Sequence, residues 1–217
     1  MSGEKTEIFK GKDIEVTSDP SRCMFAGECG GSGLRAVFSK ENWIDPDGAD
    51  VEKIVDVIER CPAGALKYHR TDGAPQEAPE INSFQPFPNG ALYVRGDIKV
   101  VDAQENVIAE EMRLALCRCG QSSNKPFCDG KHTDVKFEDE GNVPENEILS
   151  ARALDTQGEL KIALFPDGPL HVQGDFVLRN ATNTSRLYGS LIGLCRCGAS
   201  ENKPFCDGKH AEVGFKG

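Results

Sequence analysis

The sixteen residues from Cys117 to His132 read CRCGQSSNKPFCDGKH, and those from Cys195 to His210 read CRCGASENKPFCDGKH, identical at fourteen positions. A chain carrying this segment twice must fold so that two short loops each gather three cysteines and one histidine: Cys117, Cys119, Cys128 and His132, then Cys195, Cys197, Cys206 and His210. Six of the nine cysteines and two of the four histidines are thereby accounted for. Two ligands separated by one residue reach the same metal ion only from a tight turn. Cys128 and His132 stand four apart, so one helical turn aims both at a second ion. The spacing suits a dinuclear centre with two thiolates on one metal and a thiolate plus an imidazole on the other. The same donor set also suits structural zinc, the competing reading.

The duplication extends beyond the loops at a constant offset of 78 residues, without insertion or deletion: FPNGALYVRGDIKVVDA from Phe87 aligns with FPDGPLHVQGDFVLRNA from Phe165. Each copy opens on a turn signal, Asn89-Gly90 or Asp167-Gly168, and runs on through Val, Ile, Leu and Phe at alternating positions, which predicts short strands. A further strand-like run, Met112 to Leu116 or Leu191 to Leu194, delivers the chain into each loop.

The first seventy residues are a different unit. Cys23 and Cys29 are followed much later by Cys61-Pro62-Ala63-Gly64-Ala65-Leu66. Between them Val51, Ile54, Val55 and Ile58 share one face of a predicted helix that Asp50 would cap and Pro62 would stop. The expected class is α+β: a small N-terminal domain over residues 1–70, a Pro- and Glu-rich linker over 71–86, and two β-rich repeat units over 87–138 and 139–217. The late part of the linker, Ile81 to Phe87, has the alternative reading of an edge strand.

At the loops the chain resembles the CDGSH iron–sulfur proteins, the mitoNEET group, and both copies satisfy C-x-C-x2-S-x3-P-x-C-D-G-x-H. The resemblance implies that each set of three Cys and one His holds a [2Fe–2S] cluster. Lys131 and Lys209 replace the serine of the family name, at a position that is not a ligand. Family members with one motif form homodimers with shared strands, so a gapless tandem copy implies an intrachain pseudo-dimer and a monomeric protein. Around each cluster Asp129-Gly130 and Asp207-Gly208 are expected to form the turn that starts a helix, and Ser122 and Ser200 to donate hydrogen bonds to the sulfides.

The N-terminal unit, through C-x5-C, the Phe38 and Trp43-Ile44 stretch and the Cys-Pro-Ala-Gly-Ala-Leu run, resembles a ferredoxin-like domain of the divergent monocluster type. A four-cysteine ferredoxin has a further cysteine where this chain has Ala26. Cys23, Cys29 and Cys61 therefore leave three outcomes open: a [3Fe–4S] cluster, a [4Fe–4S] cluster with a fourth ligand from elsewhere, or no cluster.

Composition narrows the function. A formal charge of −10 disfavours phosphate-rich partners, so nucleic acid is excluded. Hydrophobic residues are 38% of the chain, no run approaches the roughly 18 apolar residues of a membrane helix, and the charged start has no apolar signal core. A cytoplasmic setting with reduced cysteines follows as an expectation. No nucleophile–base pairing or phosphate loop suggests an enzyme. The expected role is single-electron transfer with a redox partner protein; delivery of [2Fe–2S] to an apo-acceptor, or pH and redox sensing, is the alternative, because a histidine ligand can be protonated away.

Overall fold

The structure is a computed structural model, and it describes residues 6–39, 43–144 and 155–217. The first residues of the N-terminal segment, and 145–154 within the expected second repeat unit, lie outside the described residues. The chain divides into two compact units, Met1–Ala78 and Pro79–Gly217.

In the first unit β1 (Glu7–Lys10), β2 (Ile14–Ser18) and β3 (Leu66–Arg70) form an antiparallel sheet in that order. The single-turn helix α1 (Glu28–Gly31) packs against α2 (Val51–Arg60). Of the face read from the sequence, Ile54 and Ile58 lie fully inside beside Ile14, Val16 and Leu66 and Val51 and Val55 are half-buried against them, while Val57, not read as part of that face, is buried too. Asp50 occupies the N-cap, but its carboxylate pairs with Lys53 at 2.8 Å instead of capping a backbone N–H. Trp43 lies 43% exposed and donates its indole N–H to Ser18 Oγ at 3.2 Å.

The second unit is built from β4 (Ser83–Pro86), β5 (Leu92–Val101), β6 (Val107–Leu116), α3 (Lys131–Asp134), β7 (Glu159–Leu164), β8 (Leu170–Arg179), β9 (Arg186–Leu194) and α4 (Lys209–Glu212). Its pairing is reciprocal. β4 runs antiparallel to β5 and parallel to β8, while β7 runs antiparallel to β8 and parallel to β5. β6 and β9 flank β5 and β8 as antiparallel neighbours. Bulges fall at Arg95/Ile98 and Gln173/Phe176, matched positions of the two repeats.

One correction to the sequence reading follows. The last part of the supposed linker is strand β4, and it is not an edge strand, because it is hydrogen-bonded on both sides. The strands of the two repeats interleave around one core that includes Phe84, Ile98, Leu114, Leu160, Ile162 and Phe176. Fully buried Asn82 joins the two halves. Its side chain donates to the carbonyls of Gly158 at 2.7 Å and Asp175 at 3.0 Å, and accepts from Asp97 N–H at 3.2 Å.

Candidate metal centres

Strand β6 ends one residue before Cys117, and the loop that follows folds back upon it. Cys117 N–H donates to the Pro126 carbonyl at 2.8 Å, and Cys128 N–H to the Ala115 carbonyl at 2.8 Å. Those two bonds bring Cys128 beside Cys117 although ten residues separate them. The second loop repeats the pattern, Cys195 to Pro204 at 2.8 Å and Cys206 to Gly193 at 2.9 Å. Gly130 and Gly208 then open α3 and α4 in the left-handed region, and α3 and α4 carry His132 and His210.

The ligand atoms meet in pairs. Cys117 Sγ and Cys119 Sγ are 3.7 Å apart, as are Cys195 Sγ and Cys197 Sγ. Cys128 Sγ and His132 Nδ1 are 3.3 Å apart, as are Cys206 Sγ and His210 Nδ1. With metal–sulfur bonds of about 2.3 Å and metal–nitrogen bonds of about 2.0 Å, two donors on one tetrahedral ion stand about 3.5 to 3.8 Å apart. Each pair is thus close to the spacing needed to share one metal. Among the described residues no three His, Cys, Asp or Glu side chains gather as a site for a single ion. Each loop thus offers two such pairs, a donor set that suits a group with two metal ions.

All nine cysteines are free thiols. In the first loop the Cys117 and Cys119 thiols share a hydrogen bond, which lowers Cys117 and, together with burial, drives Cys119 up. Burial pushes Cys128 up to about 11, and Cys195 likewise to about 11. His132 is lowered by burial and then by the nearby Arg118 cation, which keeps the imidazole neutral and able to bind metal.

Serine and aspartate roles differ in part from expectation. The Ser122 and Ser200 hydroxyls donate to the carbonyls of Phe127 and Phe205, both at 2.7 Å, so they brace the loops and are not aimed at a sulfide. Their backbone N–H groups, instead, face the sulfurs of Cys117 and Cys195. Asp129 accepts from the N–H of Ser123 at 2.8 Å and of Lys131 at 3.1 Å, and Asp207 accepts from Glu201 and Lys209 at the same distances. Each carboxylate therefore satisfies the start of its helix and ties it across the loop, as expected.

Sequence reasoning missed the arginine inside each C-x-C. Buried Arg118 donates to the carbonyls of Gly90 at 2.9 Å and Phe87 at 2.5 Å and pairs with Asp139 at 2.6 Å. Arg196 makes the matching bonds to Gly168 at 3.0 Å and Phe165 at 2.8 Å, with the Gly217 carbonyl at 3.1 Å where Arg118 has Asp139. Each guanidinium also lies 5.3 Å from an aromatic ring, Phe137 or Phe215. The recurrence of Arg within two ligand loops was the available signal.

The two loops touch. A Cβ on Gly120 would overlap the Cys197 carbonyl, and one on Gly198 would overlap the Cys119 carbonyl. Beside this contact a cleft of about 520 Å³ is lined by Cys119, Gln121, Lys125, Cys197, Phe215 and Lys216.

In the first unit, Cys23 follows a 3-10 turn (Pro20–Arg22), Cys29 sits in α1 and Cys61 caps the C-terminus of α2. Asp19 N–H donates to the Ala65 carbonyl at 2.8 Å, which ties the approach to Cys23 to the turn after Cys61. Burial raises the Cys23 and Cys29 thiols, and both also feel the sulfur of Cys61. The N–H groups of Phe25 and Gly30 face the sulfurs of Cys23 and Cys29 and act the other way. Three sulfurs from separate elements thus share one neighbourhood. His69, with no ligand-spaced partner in the sequence, is exposed on β3, and His171 packs edge-on against Phe165 at 5.4 Å.

The family described as "Iron-binding zinc finger CDGSH type" matches residues 89–133 and again 167–211. The chain belongs to the CDGSH iron-binding family. This CDGSH protein also carries, over residues 9–71, a domain matching the "Divergent 4Fe-4S mono-cluster" family. Among curated proteins it is similar to the uncharacterized protein YjdI of Escherichia coli strain K12, and to YjdI of strain O157:H7. Each is 39% identical over 61 residues, which cover 28% of this chain and 80% of theirs. No solved structure matches the CDGSH chain. It is an iron–sulfur protein with tandem CDGSH motifs, and among the described residues no helix is long and apolar enough to cross a membrane.

Proposed function

We propose that this protein is a multi-centre carrier of single electrons, with one [2Fe–2S] cluster held by Cys117, Cys119, Cys128 and His132 and a second by Cys195, Cys197, Cys206 and His210. The observation that carries the reading is the packing of Gly120 and Gly198 against the carbonyls of Cys197 and Cys119. A ligand residue of each site lies against the loop of the other, which suits passage of charge from site to site. When bound, a [2Fe–2S] group accepts and returns one electron, and its imidazole ligand raises the potential relative to all-thiolate ligation.

The chain's own residues set the conditions. Strands β6 and β9 and the buried arginines fix the sulfurs before metal arrives, so little rearrangement accompanies a change of charge. Ser122 and Ser200 turn backbone N–H groups toward the ligand sulfurs, which favours the negative charge on them. The reciprocal pairing of β4 and β7 supports an intrachain pseudo-dimer that functions as a monomer. The ferredoxin-like domain, holding a cluster on Cys23, Cys29 and Cys61, adds a centre of a second type. In this reading the protein is not an enzyme, works in the cytoplasm and exchanges electrons with a redox partner protein, without nucleic acid or membrane.

A second reading has a specific observation in its favour. His132 and His210 are only partly buried, whereas Cys117, Cys119, Cys195 and Cys197 are buried, so the protonatable ligand is reachable from solvent. That arrangement suits release of a cluster to an apo-acceptor, or pH sensing. Zinc is the third reading, and it yields a colourless protein without iron.

Electron paramagnetic resonance of anaerobically purified protein, with iron and sulfide counts, tests the first reading. About eight irons per chain and repeated reversible reduction without bleaching are expected. Bleaching in the first cycle would favour cluster release, and absence of iron would overturn both.

A further inference from the structure

The stretch from Cys23 to Gly33, CMFAGECGGSG, supplies two of the three N-terminal thiols, and its outer side is bare. Ala26, between them, is exposed and has only a methyl group to offer. Phe25 beside it is 84% exposed, with φ of 59°. At Gly27, Gly30, Gly31 and Gly33 an added Cβ would meet nothing within 4 Å. Among the described residues, no atom lies over the outer side of these four glycines.

The loop holds two oxygen-bearing side chains, and both are engaged. Glu28 faces Arg60 at 3.9 Å. Ser32 donates its hydroxyl to the Cys29 carbonyl at 2.7 Å and accepts from Leu34 N–H at 3.2 Å. The thiols come from three elements, Cys23 and Cys29 both feel the sulfur of Cys61, and the N–H groups of Phe25 and Gly30 are turned to two of the sulfurs.

We propose that Cys23, Cys29 and Cys61 hold three corners of a [4Fe–4S] cluster and leave the fourth iron, on the open side at Ala26, as a binding site for a small external thiolate. This rests on the reading that the N-terminal domain carries a cluster. The class of ligand follows from the metal's partners: an iron among sulfides takes a soft anionic donor, and the uncovered rim admits one from solvent. The step is one of ligand exchange. The thiol gives its proton to water, its sulfur binds the fourth iron, and any water there leaves, with no change in the electron count.

The test uses the full-length protein, anaerobic, with mercaptoethanol as probe. In the dithionite-reduced protein the fast-relaxing resonance seen only near liquid-helium temperature belongs to the N-terminal cluster, and it is expected to shift saturably as the thiol is added. The variant Ala26→Cys places a thiolate at the open corner. It is expected to abolish the shift and to make loss of one iron under ferricyanide about tenfold slower. In that loss one electron goes to ferricyanide, one Fe2+ leaves, and a [3Fe–4S]+ centre remains. A parent signal indifferent to thiol overturns the proposal, whether or not the variant folds. So does an Ala26→Cys protein that shifts with thiol and loses iron as the parent does. A count of about four irons per chain overturns the three-centre reading along with it, whereas about eight irons with a thiol-insensitive signal overturns this proposal alone.

Discussion

Gly120 lies against the main-chain carbonyl of Cys197 so closely that a single methyl group would overlap it, and Gly198 stands in the same relation to Cys119. Both glycines also hold positive φ, 74° and 80°. A side chain at either position is penalised twice, by backbone strain and by displacement of the opposite loop. Gly120→Ala is therefore expected to cost about 1–3 kcal/mol and to damage the site it does not belong to. Iron and sulfide counts on Gly120→Ala should fall toward loss at both centres, while Gln121→Ala stays at the parent value. Loss confined to the first site would mean that the loops are independent.

Arg118 invites a comparison with its twin. Removing it strips the Asp139 carboxylate of its partner and leaves the carbonyls of Phe87 and Gly90 without their donor. Breaking a buried pair on one side costs about 3–5 kcal/mol. Arg196 bonds to main-chain oxygens at the matching positions and has the Asp167 carboxylate acting on it only from farther off, so Arg196→Ala should cost less than Arg118→Ala, about 1–3 kcal/mol. Urea denaturation of the metal-free variants measures both, and equal losses would show that Asp139 contributes nothing.

Much of this arrangement was legible in the sequence because it is local. The C-x-C and C-x3-H spacings, the turns at Asn89 and Asp167, and the apolar face of α2 depend on neighbours within a few residues. Strand β4 was half hidden because its four residues, SFQP, sit in linker-like composition and gain their order from β8, more than ninety residues away. The role of Asn82 was hidden for the same reason: a polar residue at a strand entrance reads as exposed until the carbonyls of Gly158 and Asp175 are placed around it. Ser122 was misread because its hydroxyl and its backbone N–H point to different partners, which spacing cannot distinguish.

The buried thiols predict how loading depends on pH. Cys128 and Cys195 ionise only at about 11 in the metal-free protein, so at neutral pH they must lose protons as metal binds. Reconstitution in weak buffer should release acid, and should slow as pH is lowered. For the metal-free fold the sign is set by the upward shift. Stability contributed by these thiols is complete below their ordinary value of 9.0 and is lost as pH rises toward about 11. Alkaline melting of the metal-free protein should therefore begin in that window. A pH-independent melting temperature there would mean that the thiols are already ionised in the fold.

His132 sets the opposite limit, in acid. Burial and Arg118 lower its basicity from the ordinary 6.5, so protonation in the fold sets in only at more acid pH. Because the folded state binds the proton less readily than the unfolded state, falling pH through this range removes stability, and it also removes the lone pair that binds metal. The parent should hold its visible absorbance at neutral pH and lose it in acid, the first site as His132 takes up a proton. In His132→Cys the first site no longer depends on an imidazole. Acid loss should then split into two phases, one near the parent's pH and one at least about a unit lower, with roughly equal amplitudes. Stopped-flow absorbance after a drop in pH measures this directly. A single phase at the parent's pH in His132→Cys would show that the clusters leave by another route.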